Sequence, residues 1–235
     1  DPDFTMSQGK KSTTSPKVVM QEELLSPLLT TKASRQRAFT LRKDIFDFAS
    51  VTPTEVSNYE SDGWSVQREG SKKVRIKKPK GHETLLADQT WCLVYRMGYP
   101  ELSGQDFTIK YTRHDGTSGT KKLDVFAKDD ETVVVIECKS RETRGRRSLQ
   151  KDIVETSAIQ GELANSIRKH YGNGFKPKII WMYVTHNIIW SEPDLERAGA
   201  ANIRVVTENE TQYFDSFIRH MGPAGRFQFL AEFLQ

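Results

Sequence analysis

Asp124 and the triplet Glu137-Cys138-Lys139 are the residues of this chain whose types and spacing best suit chemistry. Asp124 leads the apolar run Val125-Phe126-Ala127, and Glu137 closes the run Val133-Val134-Val135-Ile136. Read as a hairpin with Asp130-Glu131 as its two-residue loop, the segment pairs outward from those two residues and sets Asp124 opposite Glu137. Directly opposed residues project from one sheet face with Cβ atoms about 5 Å apart. Lys139, two residues beyond Glu137, points to that face as well. Moving the loop by one residue on both strands preserves this parity. Cys138 points to the other side, beside Val134 and Ile136, and is expected to be an inert core thiol.

Two carboxylates and an ammonium at the edge of an apolar strand fit a metal-assisted phosphoryl site. Mg²⁺ takes hard oxygen ligands at about 2.1 Å and keeps several waters, so two carboxylates and a substrate phosphate oxygen suit it. Bound there, it would lower the pKa of a water and neutralise phosphate charge. Lys139 can orient or deprotonate that water, or stabilise the charge that develops. The plainer alternative is an exposed strand end whose acid and base side chains make cross-strand ion pairs worth under about 1 kcal/mol.

The elements that would position these groups follow from the apolar pattern. The β-branched run 132–139 reads as a central strand, with further strands expected over 107–113 and 121–128. Residues 83–97 read as a helix with Glu83 in its first turn, Leu86, Leu93 and Met97 near one face, and Gly98 ending it. A long helix is expected over 148–171, then a buried strand 178–185, a helix 192–201, a strand 203–206 and helices over 212–221 and from Pro223 onward. Before this block, 18–48 reads as two short helices separated by the basic stretch 32–37. Residues 64–80 read as a hairpin, Trp64–Gln67 and Val74–Lys77 around Gly70-Ser71, with basic side chains at Lys72, Lys73, Lys77 and Lys78. Residues 1–17 are polar and expected to be a disordered tail, with Asp1–Thr5 ahead of Met6 an artificial leader. The organisation expected is therefore a tail (1–17), a helical and basic-hairpin appendage (18–80) and an α/β domain (81–235).

Asp124 followed by Glu137-Cys138-Lys139 after a twelve-residue gap resembles the D…ExK signature of the PD-(D/E)XK nuclease superfamily. The element order, a helix carrying Glu83, three strands, a long helix and a further strand, resembles that superfamily's αβββαβ core and covers Lys80 to about Val206. Leu123 stands where the signature has proline. The resemblance implies a restriction-endonuclease-like fold with a central mixed sheet and extra C-terminal helices. It also implies a Mg²⁺-dependent endonuclease, Mn²⁺ substituting, in which Asp124 and Glu137 hold the metal and Lys139 positions the water. Glu83 corresponds to the acid some members carry in the first core helix, and Gln160 to the polar residue others carry in the second. Independently, Glu83 in a first turn is favourable as a helix-dipole partner, and Gln160 is equally readable as a surface polar residue. A second resemblance rests on Gly63-Trp64, the basic hairpin, 91–98 and Gly222-Pro223-Ala224-Gly225-Arg226. These look like the N-terminal, nuclease-like module of bacterial DGQHR-type proteins, which resemble factors of phosphorothioate DNA modification. That implies a DNA-modification or defence setting and a further domain after Gln235.

The charge pattern fits a polyanion. The chain carries 35 Lys and Arg against 31 Asp and Glu, a formal +4. Arg144, Arg146 and Arg147 follow the ExK strand directly, and Lys72, Lys73, Lys77 and Lys78 precede Glu83, so both clusters flank the carboxylates and are expected to contact DNA phosphates. The alternative for each is a solvated charged loop. Two cysteines cannot build a disulfide framework or a four-Cys zinc site. No apolar run approaches the roughly 18 residues of a membrane span, and a cytoplasmic protein is expected. His82-Glu83 lacks a second His four residues on, and no GxSxG or Walker sequence occurs. No recognition helix, zinc finger or RNP motif argues for sequence readout. DNA is thus the expected partner, no membrane is, and a homodimer is left open. The rival readings are a catalytically silent DNA-binding module of the same fold and a scaffold whose charge pairs are only structural.

Overall fold

The structure is a computed structural model that describes residues 23–172 and 174–233; the expected tail lies outside the described residues. In chain order the elements are β1 (Leu28–Leu29), α1 (Lys32–Arg42), β2 (Phe46–Val51), α2 (Val56–Glu60), β3 (Ser65–Arg68), β4 (Val74–Pro79) and α3 (His82–Arg96). Then come β5 (Glu101–Ser103), β6 (Thr108–Thr112), β7 (Ser118–Lys122), β8 (Val125–Lys128), β9 (Thr132–Arg146) and α4 (Gln150–Tyr171). The chain continues through β10 (Lys178–Ile189), α5 (Glu192–Ala200), β11 (Ile203–Val206), α6 (Glu208–Met221) and α7 (Gly225–Phe233).

The architecture is α/β around a mixed six-stranded sheet in the order β1-β5-β8-β9-β10-β11. The β5–β8 and β8–β9 pairs are antiparallel, whereas β9, β10 and β11 are parallel and joined through α4 and α5. Each parallel return needs a crossover, and helices supply it. β9 is buried on both faces because its apolar residues alternate between two cores. Val134 and Ile136 join α3 residues Leu86, Trp91 and Leu93 on one side. Val133 and Val135 join α4 residues Ile153, Leu163 and Ile167 on the other. α3, β5, β8, β9, α4 and β10 reproduce the αβββαβ order, with the β6–β7 hairpin inserted between the first and second core strands.

The β8–β9 register matches the expected hairpin. Val125 lies opposite Ile136, Lys128 opposite Val133, and the Asp129 N–H donates to the Thr132 carbonyl at 3.0 Å around Asp130-Glu131. Cys138 packs against the α3-side core with its Sγ 3.6 Å from the Thr90 hydroxyl. α3 ends as expected. Gly98 has φ +76°, and a Cβ there would also sit 3.1 Å from Pro223, so both conformation and packing call for glycine.

Several expectations are corrected. The basic stretch 32–37 is not a separator but the first half of the one helix, α1, between β1 and β2. Lys and Arg are good helix formers, and Thr31 caps this helix by accepting from the Ser34 N–H at 3.1 Å. The 18–80 stretch also supplies β1, the edge strand of the central sheet, and its hairpin gains β2 as a third strand. The expected strand 121–128 is two: β7 pairs with β6, and β8 pairs with β9 after the break at Leu123-Asp124. The strand at 132–139 continues to Arg146 by way of a bulge. Ser140 faces His186, yet Gly145 already faces Ile188. Asn187, at φ +58°, holds the bulge by donating from Nδ2 to the carbonyls of Arg141 and Glu142, both at 3.2 Å.

Both cysteine thiols are expected to react with a maleimide only as the chain unfolds. Rapid labelling of Cys138 in the native protein would mean that the β8–β9 register is wrong by one residue.

Candidate active site

Asp124 stands one residue before β8, where the ladder opens. Its Oδ2 accepts the Cys138 N–H at 2.7 Å, which fixes the carboxylate beside β9. Glu137 is 7 % exposed and its charge is answered from three directions. Lys121 Nζ, from the end of β7, lies 2.7 Å from Oε1. The Thr156 hydroxyl donates to the same oxygen at 3.2 Å, and Lys139 Nζ lies 3.3 Å from Oε2. Lys139 in turn pairs with Asp152 of α4 at 2.7 Å.

Behind these groups Tyr183 of β10, the parallel partner of Glu137, places its hydroxyl 2.7 Å from that of Thr156 and 2.9 Å from the Asp152 carbonyl. Each hydroxyl has a single proton. Thr156 gives its proton to Glu137 Oε1, and Tyr183 gives its own to the Asp152 carbonyl or to the Thr156 oxygen. Burial, and then the Glu137 charge, push the Tyr183 phenol upward, so it stays protonated.

Burial also raises the Asp124 pKa, against the Cys138 N–H bond, and the Glu137 charge adds to the rise. For Lys139, burial alone would disfavour the ammonium. The bond to Asp152 and the Glu137 charge outweigh it and hold the pKa above the usual lysine range. Lys139 is therefore a cation at neutral pH, suited to orienting a water or balancing negative charge, and not a ready base in this arrangement.

Asp124 and Lys139 open onto a cleft of about 490 Å³, whose walls include Glu83, Asp88, Lys122 and Arg147. Glu83 is exposed in the first turn of α3. Its helix is tied to the end of β9 by His82 Nδ1, 2.7 Å from the Ser140 hydroxyl. Among the three arginines after the ExK strand, only Arg147 lines the cleft, with its guanidinium donating to the Ser140 carbonyl at 3.3 Å. Arg144 pairs with Glu208 of α6, and Arg146 is exposed. Lys72, Lys73, Lys77 and Lys78 sit on or beside β4 and do not line the cleft. Gln160 lies one turn beyond Thr156 on α4, and its buried Nε2 has no hydrogen-bond partner. The α4 groups in contact with the ExK residues are Asp152 and Thr156 instead.

Lys121, Asp152, Thr156 and Tyr183 are the members that sequence reasoning missed. A signal existed for Thr156: it is a polar residue in the apolar stripe Leu149, Ile153, Leu163, Ile167 of α4. A second existed for Lys121, a lysine three residues before Asp124. The oxygens of Asp124 and Glu137 are hard donors of the kind a divalent cation takes, although both Glu137 oxygens already meet an ammonium. No group of three or more His, Cys, Asp or Glu that could hold a metal occurs among the described residues.

No protein-family model matches the chain, and no curated protein does. Solved structures give distant similarities. Protein VC1899 from Vibrio cholerae is 15 % identical with a TM-score of 0.41 over 81 % of this chain and 50 % of that one. Can2 from Sulfobacillus thermosulfidooxidans, in complex with cyclic tetra-adenylate, is 13 % identical with a TM-score of 0.39, over 80 % and 51 %. The protein of unknown function AF1548 is 20 % identical with a TM-score of 0.37, over 52 % and 55 %. The chain thus spans about half the length of each.

Two variants test the electrostatics in metal-free buffer. Because the folded state raises the Asp124 pKa, ionising Asp124 lowers stability as pH rises through the ordinary carboxylate range and beyond it. Asp124→Asn, which keeps an acceptor for the Cys138 N–H, should melt at or above wild type near pH 7 and lose that advantage near pH 3. An equal loss at both pH values would contradict the assignment. Thr156→Val should cost about 1–2 kcal/mol in denaturant unfolding by removing a donor to a buried carboxylate, and an unchanged midpoint would argue against the Thr156–Glu137 bond.

Proposed function

We propose that this chain is a metal-dependent nuclease that hydrolyses DNA phosphodiester bonds, in a bacterial DNA-modification or defence setting. The observation that carries the reading is the grouping of Asp124, just before β8, with Glu137 and Lys139 in the middle of β9, Asp124 and Lys139 being open to a cleft that Arg147 also lines. Asp124 and Glu137 would hold Mg²⁺, or Mn²⁺ in its place, which would lower the pKa of a water and neutralise phosphate charge. Lys139, kept protonated and aimed by Asp152, orients the attacking water and balances the charge that builds on the phosphate oxygens. Arg147 receives a phosphate at the cleft wall. Glu83 assists from the opposite wall, on α3. Thr156, itself in contact with Tyr183, holds the Glu137 carboxylate in place by donating to its Oε1.

One observation favours a second reading, a catalytically silent DNA-binding module of the same fold. Lys121 sits on Glu137 Oε1 at 2.7 Å, the place a cation ligand would take, so a metal must displace an ammonium that already answers the charge.

The two readings part in one assay of plasmid and linear DNA with Mg²⁺, Mn²⁺ or EDTA. The nuclease reading expects cleavage with either metal, none in EDTA, and a loss of about 100-fold or more in Asp124→Ala, Glu137→Ala and Lys139→Ala. Full activity in any of these variants removes the site from consideration. DNA binding without cleavage under both metals establishes the silent module.

A further inference from the structure

The three-stranded sheet formed by β2, β4 and β3 has two unlike faces. Val74 and Ile76 of β4, with Val51 of β2, are buried in a small core completed by Tyr59 and Trp64. The residues of opposite parity form the outer face. Phe48 lies opposite Lys77, which lies opposite Ser65, while Ser50 and Arg68 flank Arg75, and Phe46 faces Pro79. Not one of these outward residues is acidic; Asp47 has the inner parity, opposite Lys78.

The rings are not absorbed into the core. Phe48 is 37 % exposed, the Phe46 and Phe48 centroids are 6.4 Å apart, and each ring carries a cation. Lys77 Nζ stands 4.6 Å over Phe46 and the Arg75 guanidinium 4.8 Å over Phe48. Arg68, Lys72, Lys73, Arg75, Lys77 and Lys78 make no ion pair with a carboxylate among the described residues, whereas Arg144 and Lys139 near the cleft do. A face that offers flat apolar rings between unpaired cations, with acids excluded, is complementary to bases joined by phosphates.

This sheet is also fastened to the cleft. Lys80, the residue after β4, is buried. Its N–H donates to the Ile45 carbonyl at 3.1 Å, and its Nζ reaches the Leu41 and Arg42 carbonyls and Asp88 at 2.6 Å. Asp88 and Arg42 are themselves cleft residues. Lys80 thus ties the end of β4 to Arg42 and Asp88, two residues that line the cleft.

We infer that the outer face of this sheet is a binding platform for single-stranded DNA, on which unpaired bases stack against Phe46 and Phe48 while Arg75, Lys77 and Arg68 take phosphates. This deepens the nuclease reading by naming the substrate class as DNA with an unpaired segment beside the cleft, and rests on that reading for its purpose though not for its measurement. Duplex DNA keeps its base faces inside the stack, so the rings discriminate single strands from duplex, and the cations alone do not.

The test is fluorescence anisotropy in EDTA, where no cleavage enters, with a labelled oligothymidylate and a duplex of equal length over a salt series. Wild type is expected to bind the single strand more tightly. Phe46→Leu with Phe48→Leu keeps apolar bulk and removes the rings. It is expected to weaken oligothymidylate binding by at least about fivefold per ring, with the salt slope and duplex affinity unchanged. Phe46→Tyr with Phe48→Tyr keeps both rings and should retain wild-type affinity. Arg75→Ala with Lys77→Ala should flatten the log–log salt slope by up to about 1.4 for two lost single-strand phosphate contacts. Wild-type affinity in the Leu pair, or an equal loss for duplex and single strand, overturns the platform. Ring-dependent binding by a protein that never cleaves upholds it while the nuclease reading falls. Cleavage with ring-independent binding does the reverse.

Discussion

The buried charge of Glu137 is the constraint on which the rest of the site depends. A carboxylate this far from water is tolerated only when paired and hydrogen-bonded. Its partners come from separate parts of the chain: Lys121 from the β6–β7 hairpin, Lys139 from its own strand and Thr156 from α4. Removing any one leaves charge exposed to a medium that solvates it poorly. The two ammonium groups also differ in role. Lys139 is held by Asp152 as well and cannot wander, whereas Glu137 is the one carboxylate with which Lys121 forms an ion pair among the described residues.

The fold supplies these partners by placing the middles of β9 and β10 between two helical layers. The parallel pairing sets Tyr183 beside Glu137 and Thr185 beside Lys139, so the α4-side face of β10 supports the same groups from behind. The β6–β7 insertion has a physical purpose in this arrangement, since it carries Lys121 to Glu137 and packs Ile109 and Tyr111 into the α4-side core. The bulge after Ser140 then turns β9 so that Arg147 meets the cleft while Arg144 pairs with Glu208 on α6.

Much of the spatial grouping was legible in the sequence because it is local. A two-residue loop and the period of two fix the β8–β9 register, and with it the shared side of Glu137 and Lys139 and the opposite side of Cys138. The strand over 203–206 and the helix stop at Gly98 were legible for similar reasons, a short apolar run and a glycine at positive φ. The remainder depends on contacts between distant segments. Lys121 and Asp152 are ordinary surface residue types, and only the tertiary fold brings them to one carboxylate. On α4 the groups that reach the ExK residues are Thr156 and Asp152, one and two turns before Gln160. The split between β7 and β8 had no Gly or Pro to mark it, and the polar residues 140–146 hid the extension of β9 behind their charge.

Binding of Mn²⁺, followed by the electron paramagnetic resonance of the free ion, tests the central claim without recourse to DNA. The account predicts a site in the wild-type protein that is lost in Asp124→Asn and in Glu137→Gln, and kept in Lys121→Met, where the competing ammonium is gone. Equal Mn²⁺ binding by wild type and both carboxylate variants would contradict it, and so would a wild-type protein that binds none while Lys121→Met also binds none.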